Sequence, residues 1–243
     1  MAELTNPANP ANTSISLRVL ARLLSYPDVA LRGDLADMRA ALLVERALSA
    51  ARKDELLALI ATLEHGDAID HEAEYVHLFD RGRATSLHLF EHVHGDSRDR
   101  GQAMVDLTQT YEATGLLLAP GELPDFVPVL LEFASSQPPE QARSLLGEMA
   151  HIFNAIFNAL QQRSSPYACA LGALLELAGE PAHAVAIVPD EALDAAWEEP
   201  EVFGGCSSKG QEKAGQSNAT QPIHFVKAPS AGAKASAPTG VAS

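Results

Sequence analysis

The residues best suited to chemistry crowd into one stretch, Phe79-Asp80-Arg81-Gly82-Arg83-Ala84-Thr85-Ser86-Leu87-His88-Leu89-Phe90-Glu91-His92-Val93-His94-Gly95-Asp96-Ser97-Arg98-Asp99-Arg100-Gly101. It holds three of the nine histidines and four of the seventeen basic residues. On one helix, His88 and His92 would stand a turn apart on the same face, and with His94, Glu91 or Asp96 they could ligate a divalent metal, the starting point of a metal-dependent hydrolase. Against that reading, the Gly95-Asp96-Ser97 turn interrupts the helix, and no HExxH pattern supplies a paired general base. The plainer reading is that these residues close one helix, turn the chain and cap the next. Asp96 or Ser97 would then be its N-cap and Asp99 would sit in its first turn, with Arg98 and Arg100 paired to carboxylates or solvated. We therefore assign no metal and no cofactor.

Other chemistry is weaker still. Cys169 and Cys206 are the only cysteines, so neither a disulfide framework nor a four-cysteine zinc site can be built. Neither has a histidine near it in sequence, and no Gly-x-Ser-x-Gly elbow or Gly-x-Gly-x-x-Gly loop is present. Glu72 with Glu74 reads as a solvated acidic face. Lys plus Arg number 17 against 32 Asp plus Glu, a formal charge of −15, which excludes a nucleic-acid binder that works by neutralising phosphates. The first dozen residues are polar, and nowhere do eighteen apolar residues run together, so we expect a cytoplasmic chain without membrane insertion. The physics favours a non-catalytic acidic module that binds something amphipathic.

The elements that must position these residues read as helix after helix, because apolar residues recur three and four apart. Ile15, Val19, Leu20, Leu23 and Leu24 make one face, capped by Thr13 or Ser14 and stopped before Pro27. Leu31, Leu35, Met38 and Leu42, with Leu43 at the edge, make a second. A third holds Leu56, Leu59, Ile60 and Leu63 and ends at Gly66. Tyr75, Leu78 and Phe79 end a fourth that starts near Asp70, and Met104, Leu107 and Tyr111 define a fifth closed by Gly115. Asp125 is the expected N-cap of the next helix, which places Pro128 in its first turn, where a missing N–H costs nothing; Phe126, Leu130 and Phe133 form its face. The stripe from Ala142 through Leu146, Phe153 and Phe157 to Leu160 predicts a long central helix. Segments 168–177 and 191–197 complete the series.

From Gly204 onward the chain changes character: 23 of its last 40 residues are Gly, Ala, Ser or Pro. This tail carries a net +3, so the remaining 203 residues carry −18 of the total −15. The expected organisation is a flexible segment over 1–12, a single all-α helical-bundle domain over 13–203, and a disordered tail over 204–243.

Several blocks of this sequence resemble the NarJ family of assembly chaperones for respiratory nitrate reductase, within the wider TorD/DmsD-like group of molybdoenzyme maturation factors. They are Tyr75-x-x-Leu78-Phe79-Asp80-Arg81-Gly82-Arg83, Leu89-Phe90-Glu91-His92-Val93-His94-Gly95, the run from Ser97-Arg98-Asp99-Arg100-Gly101 to Leu107, and Glu122-Leu123-Pro124-Asp125. The resemblance extends from Leu23-Leu24-x-Tyr26-Pro27-Asp28 to Trp197-Glu198-Glu199. It implies an all-helical TorD-like fold and no catalytic residues. It also implies that the partner is the N-terminal segment of the apo catalytic (alpha) subunit of nitrate reductase, bound in the cytoplasm while iron–sulfur and molybdenum cofactor insertion proceeds before membrane docking. One departure stands out: the family's Pro-Asp-His signature reads Pro124-Asp125-Phe126 here.

The expected client-peptide groove or rim is Tyr75, Phe79, Leu89, Phe90, Glu91, His92 and His94, organised by Arg98 and Asp99, with Pro124 and Asp125 as a structural cap. A basic amphipathic helix suits such a groove, since its charge complements the −18 body. A generic helical scaffold without a dedicated client is the remaining alternative.

Overall fold

The computed structural model describes residues 13–94 and 99–184, and over these the apolar spacing is realised as nine α-helices. They are α1 (Ser14–Leu23), α2 (Val29–Val44), α3 (Ala50–His65), α4 (Ala68–Tyr75), α5 (Leu89–Val93), α6 (Asp99–Ala113), α7 (Val127–Ser136), α8 (Pro139–Gln162) and α9 (Ala168–Ala178). Among the described residues there is no strand, only one isolated antiparallel bridge between His88 and Phe126. None of these helices is long and apolar enough to cross a membrane. The fold is all-α. The expected helix over 191–197, the N-terminal segment 1–12 and the tail lie outside the described residues.

Local chemistry sets the helix ends. The Asp28 carboxylate accepts the Leu31 N–H at 2.8 Å, Ser49 Oγ accepts the Arg52 N–H at 3.3 Å, and Asp67 accepts the Ile69 N–H at 2.8 Å. At α1, in contrast, Thr13 makes no side-chain cap bond. Gly179, at φ +80°, ends α9 in the left-handed conformation that glycine adopts without steric cost.

Packing corrects one expectation about the centre. The long helix α8 is amphipathic, burying Leu146, Phe153, Ile156 and Leu160 while Glu148 and His151 stay exposed. The innermost element is α9, all of whose residues except Glu176 are buried, and its most extensive interface is with α8. A helix apolar all round must be enclosed, and α9 meets α1, α3 and α8. The first face is also rotated from expectation: Leu17 is fully buried, whereas Ile15 is 39% exposed. The faces of α2 and α3 are as expected, with Leu43 exposed.

After Tyr75 the chain widens into a π-helical turn over Val76–Asp80, closed by the Arg81 N–H donating to the Val76 carbonyl at 3.1 Å. A 3₁₀ turn at Arg83–Thr85 follows. The Thr85 hydroxyl donates to the Leu78 carbonyl and accepts from Arg163 Nη1 at 2.9 Å, which ties the two turns to the end of α8. This double turn brings the chemically dense stretch against the loop between α6 and α7.

Candidate functional site

An open pocket of about 400 Å³ lies where four stretches of chain meet. Tyr26 comes from the α1–α2 connection; Tyr75, Phe79 and Asp80 come from α4 and the π turn; Leu87 and His88 precede α5; and Gly121, Glu122, Leu123 and Phe126 lie before α7. Its rings form two groups. Tyr75 contacts Tyr26 edge-on at 5.6 Å and Phe79 at 4.8 Å, and Tyr167 packs against Tyr75 at 6.2 Å and Phe79 at 5.2 Å. His88 stacks on Phe126 at 5.2 Å with an interplanar angle of 29°.

The site is held from below by Asp125, whose side chain is fully buried. Sequence reasoning makes it the N-cap of α7. The structure corrects this: Phe126 occupies the N-cap position of α7 and makes no side-chain cap bond. Asp125 instead caps the short helix α5 from across the fold, its carbonyl accepting the Leu89 N–H at 3.0 Å and its carboxylate the Phe90 N–H at 3.2 Å. The competing segment wins because Leu87–Leu89 runs antiparallel beside Asp125–Val127, with the Val127 N–H donating to the Leu87 carbonyl at 2.9 Å. Pro124 likewise caps no helix; its carbonyl accepts the Tyr111 hydroxyl at 2.8 Å.

The same carboxylate organises the charges. His88 Nδ1 lies 3.3 Å from Asp125 Oδ1, and Arg100 Nη2 lies 3.7 Å from Asp125 Oδ2 and 3.4 Å from Glu91. The hydrogen bond to Asp125 raises the His88 pKa above the ordinary histidine value, against the opposing effect of partial burial. Burial pushes the Tyr75 hydroxyl well above the usual phenol range, and this hydroxyl donates to the Leu24 carbonyl at 2.8 Å. Asp80 raises it further and also acts on Tyr26.

The expected site residues therefore separate. Tyr75 and Phe79, two of the residues expected in the client groove, line the pocket. Leu89 is 1% exposed and belongs to the core rather than to a rim, while Phe90 is half-buried against that core, edge-on to His94 at 5.5 Å. Glu91 pairs with Arg100, and His92 Nε2 meets the Ser86 carbonyl at 2.8 Å. Asp99 starts α6, and Arg98 lies outside the described residues. The three histidines face three different partners, and among the described residues no three His, Cys, Asp or Glu side chains gather as a metal site would need. Cys169 is buried, its thiol pushed up to about 12 by desolvation, and offers no nucleophile. Of the other lining residues, Tyr26, Asp80, Leu87, His88, Gly121, Glu122, Leu123 and Phe126 were not among the expected groove residues. The signals that could have found them are the blocks Tyr26-Pro27-Asp28, Phe79-Asp80 and Glu122-Leu123-Pro124 and the position of His88 in the dense stretch, together with the turn-forming Gly121, which takes φ +92°.

The family model described as nitrate reductase delta subunit matches residues 45–171. The chain is 43% identical over 198 residues to the nitrate reductase molybdenum cofactor assembly chaperone NarJ of Escherichia coli (strain K12), spanning 77% of this chain and 84% of that one. It is 32% identical over 167 residues to the protein named "Probable nitrate reductase molybdenum cofactor assembly chaperone NarJ" of Bacillus subtilis (strain 168), spanning 69% and 90%. A crystal structure of a candidate redox enzyme maturation protein from Archaeoglobus fulgidus is 21% identical, covers 72% of this chain and 99% of its own, and superposes with a TM-score of 0.49.

Proposed function

The chain belongs to the nitrate reductase delta subunit family, and on that premise we propose that it is a NarJ-type molybdenum cofactor assembly chaperone for nitrate reductase, not an enzyme. The observation that carries this is the 43% identity sustained over 84% of a protein named for that task. In our reading it acts in the cytoplasm. It binds the N-terminal segment of the apo catalytic subunit and holds that subunit open while iron–sulfur and molybdenum cofactors are inserted, before membrane docking.

The pocket supports this reading physically. It exposes aromatic edges at Tyr26 and an aliphatic one at Leu123, 42% and 44% exposed, around a wall formed by Tyr75 and Phe79. An amphipathic helix laid across it would bury its apolar side at about 25 cal/mol per Å² of area removed from water. Its basic side would face an acidic body, and long-range attraction of that kind acts mainly on the rate of encounter. The groove we assign to the client is therefore Tyr26, Tyr75, Phe79, Leu123 and Phe126, with Phe90, His92 and His94 beside it.

Surface capture on the purified full chain tests the segment. Apo catalytic subunit should be retained, and the same subunit lacking its first forty or so residues should not. Equal retention of both would place the contact elsewhere on the client.

A further inference from the structure

We infer that the chain from Glu180 to Ala184 is a releasable strap: a resident ligand of the groove between α8 and α9 that leaves and returns while the helical domain stays folded. None of the residues that line this groove lines the aromatic pocket assigned to the client.

At its near end the strap is anchored by the close of α9. The Glu180 N–H donates to the Leu175 carbonyl at 3.0 Å, and Arg143 Nε donates to the Ala178 carbonyl at 3.2 Å. The Arg143 guanidinium also lies where a Cβ of residue 179 would stand, so the turn at Gly179 has one form.

At its far end the strap is held through a single residue. The His183 N–H donates to Asn154 Oδ1 at 2.9 Å, and the His183 carbonyl accepts Asn154 Nδ2 at 3.0 Å and Asn158 Nδ2 at 2.8 Å. Asn154 is only 8% exposed and spends both ends of its amide on the backbone of one residue, as a paired strand residue would. Burial adds little to this clamp, because residues 179–184 are all exposed. Among the described residues Pro181, Ala182 and Ala184 make no hydrogen bond or ion pair.

The strap spans a hollow instead of packing into it. At 1.5 Å per residue α8 climbs about 16 Å from Arg143 to Asn154, and the chain from Ala178 to His183 covers about the same length when extended, which leaves it no slack to sag. Beneath it lies a cavity of about 630 Å³, walled by Gly147, Ala150 and Asn154 of α8 and by Leu175 of α9, with Pro181 and His183 of the strap above. The missing Cβ of Gly147 would meet no atom within 4 Å.

What breaks on opening sets the local stability. Release gives up three hydrogen bonds and little apolar contact, whereas opening α9 exposes a helix buried on nearly every side. A net hydrogen bond shifts such an equilibrium roughly three- to tenfold, so the closed strap should be favoured by about thirty- to a thousandfold. The open form leaves the buried Asn154 amide without a partner, and that cost returns the strap to its groove.

Residue-resolved hydrogen exchange on the full chain, followed by NMR over a series of low urea concentrations, tests the strap. The His183 N–H should exchange roughly thirty to a thousand times more slowly than a free amide and with almost no urea dependence, while the Leu174 N–H in α9 should be slower by further orders of magnitude and strongly urea-dependent. Asn158→Ala removes one bond of the clamp at a half-buried position; it should speed His183 exchange about three- to tenfold and leave Leu174 within about threefold. Asn154→Ala should remove the remaining protection at His183, and Glu148→Ala, on the exposed side of α8, should leave His183 unchanged. If Asn154→Ala fails to fold, the Asn158→Ala comparison decides by itself. A His183 N–H with the rate and urea slope of Leu174, one that exchanges like a free amide, or one indifferent to Asn158→Ala would overturn the inference.

Discussion

Replacing Asp125 tests how the site is built. Its carboxylate is fully buried, accepts one backbone N–H of α5 and sits 3.3 Å from His88 and 3.7 Å from Arg100. Asp125→Ala leaves the Phe90 N–H without its acceptor and His88 without its counter-charge, while Arg100 keeps only Glu91. Breaking a fully buried pair costs about 3–5 kcal/mol, but His88 and Arg100 keep 31% and 25% of their side chains in water and recover part of that by solvation. We expect a loss of about 2–3 kcal/mol, which for a domain of this size lowers Tm by roughly 5–10 °C. Asp125→Asn keeps an acceptor for Phe90 and should cost about 1 kcal/mol. The pH dependence carries a sign. His88 is raised by Asp125, so its contribution is complete below the ordinary histidine pKa and is lost as pH rises through the raised folded value. Wild type should therefore lose stability across that interval, and Asp125→Asn should lose much less. Melts followed by circular dichroism at a series of pH values measure both. An Asp125→Ala protein that melts with the wild type, or an Asp125→Asn protein with an unchanged pH slope, would refute this account of the site.

Other substitutions probe its supports. A Cβ at Gly82 would lie 2.7 Å from the Leu78 carbonyl oxygen and 2.6 Å from Arg163 Nη1, so Gly82→Ala should destabilise the double turn by at least about 2 kcal/mol, read as a lowered denaturant midpoint. Tyr111→Phe removes the hydroxyl that holds the Pro124 carbonyl and should cost about 1–2 kcal/mol in the same measurement. Phe90 is only half-buried against the core, so Phe90→Ala should cost less than the roughly 3–5 kcal/mol of a fully buried phenylalanine, and thermal melts decide it. Deleting residues 204–243 should move stability by no more than about 0.5 kcal/mol, and a larger loss would mean that Ile223, Phe225 and Val226 contribute to folding.

The helical fold was legible wherever one helix face answers to one period. Leu56, Leu59, Ile60 and Leu63 read as a face, and all four are buried, because burial of a surface helix selects that spacing directly. The period does not say which helix is innermost. The α8 stripe is the most regular in the sequence, yet α9, short and almost uniformly apolar, takes the centre. The π turn was invisible for a related reason: Tyr75, Leu78 and Phe79 keep helical spacing in sequence, and only the folded chain brings the Thr85 hydroxyl, itself held by Arg163, to the Leu78 carbonyl. Asp125 shows where local rules stop. An Asp ahead of an apolar run with Pro128 in its first turn satisfies the N-cap pattern, and only the antiparallel neighbour at Leu87–Leu89 turns its carboxylate to another helix. Tyr75 and Phe79, expected in the groove from the sequence, both line the pocket. The Tyr26 and Leu123 sides of the pocket required the tertiary structure, since they stand far from the π turn in sequence.

The central claim is that this chain holds nitrate reductase before its cofactor is in place. Tagged full-length protein recovered from cells blocked in molybdenum cofactor synthesis, and from cells with synthesis intact, measures it directly when the bound catalytic subunit is quantified and assayed for molybdenum. The account predicts that the blocked cells yield the apo catalytic subunit as the dominant partner and that subunit carrying molybdenum is absent from the intact cells' complex. Equal recovery of apo and molybdenum-loaded subunit, or recovery of neither, would contradict it.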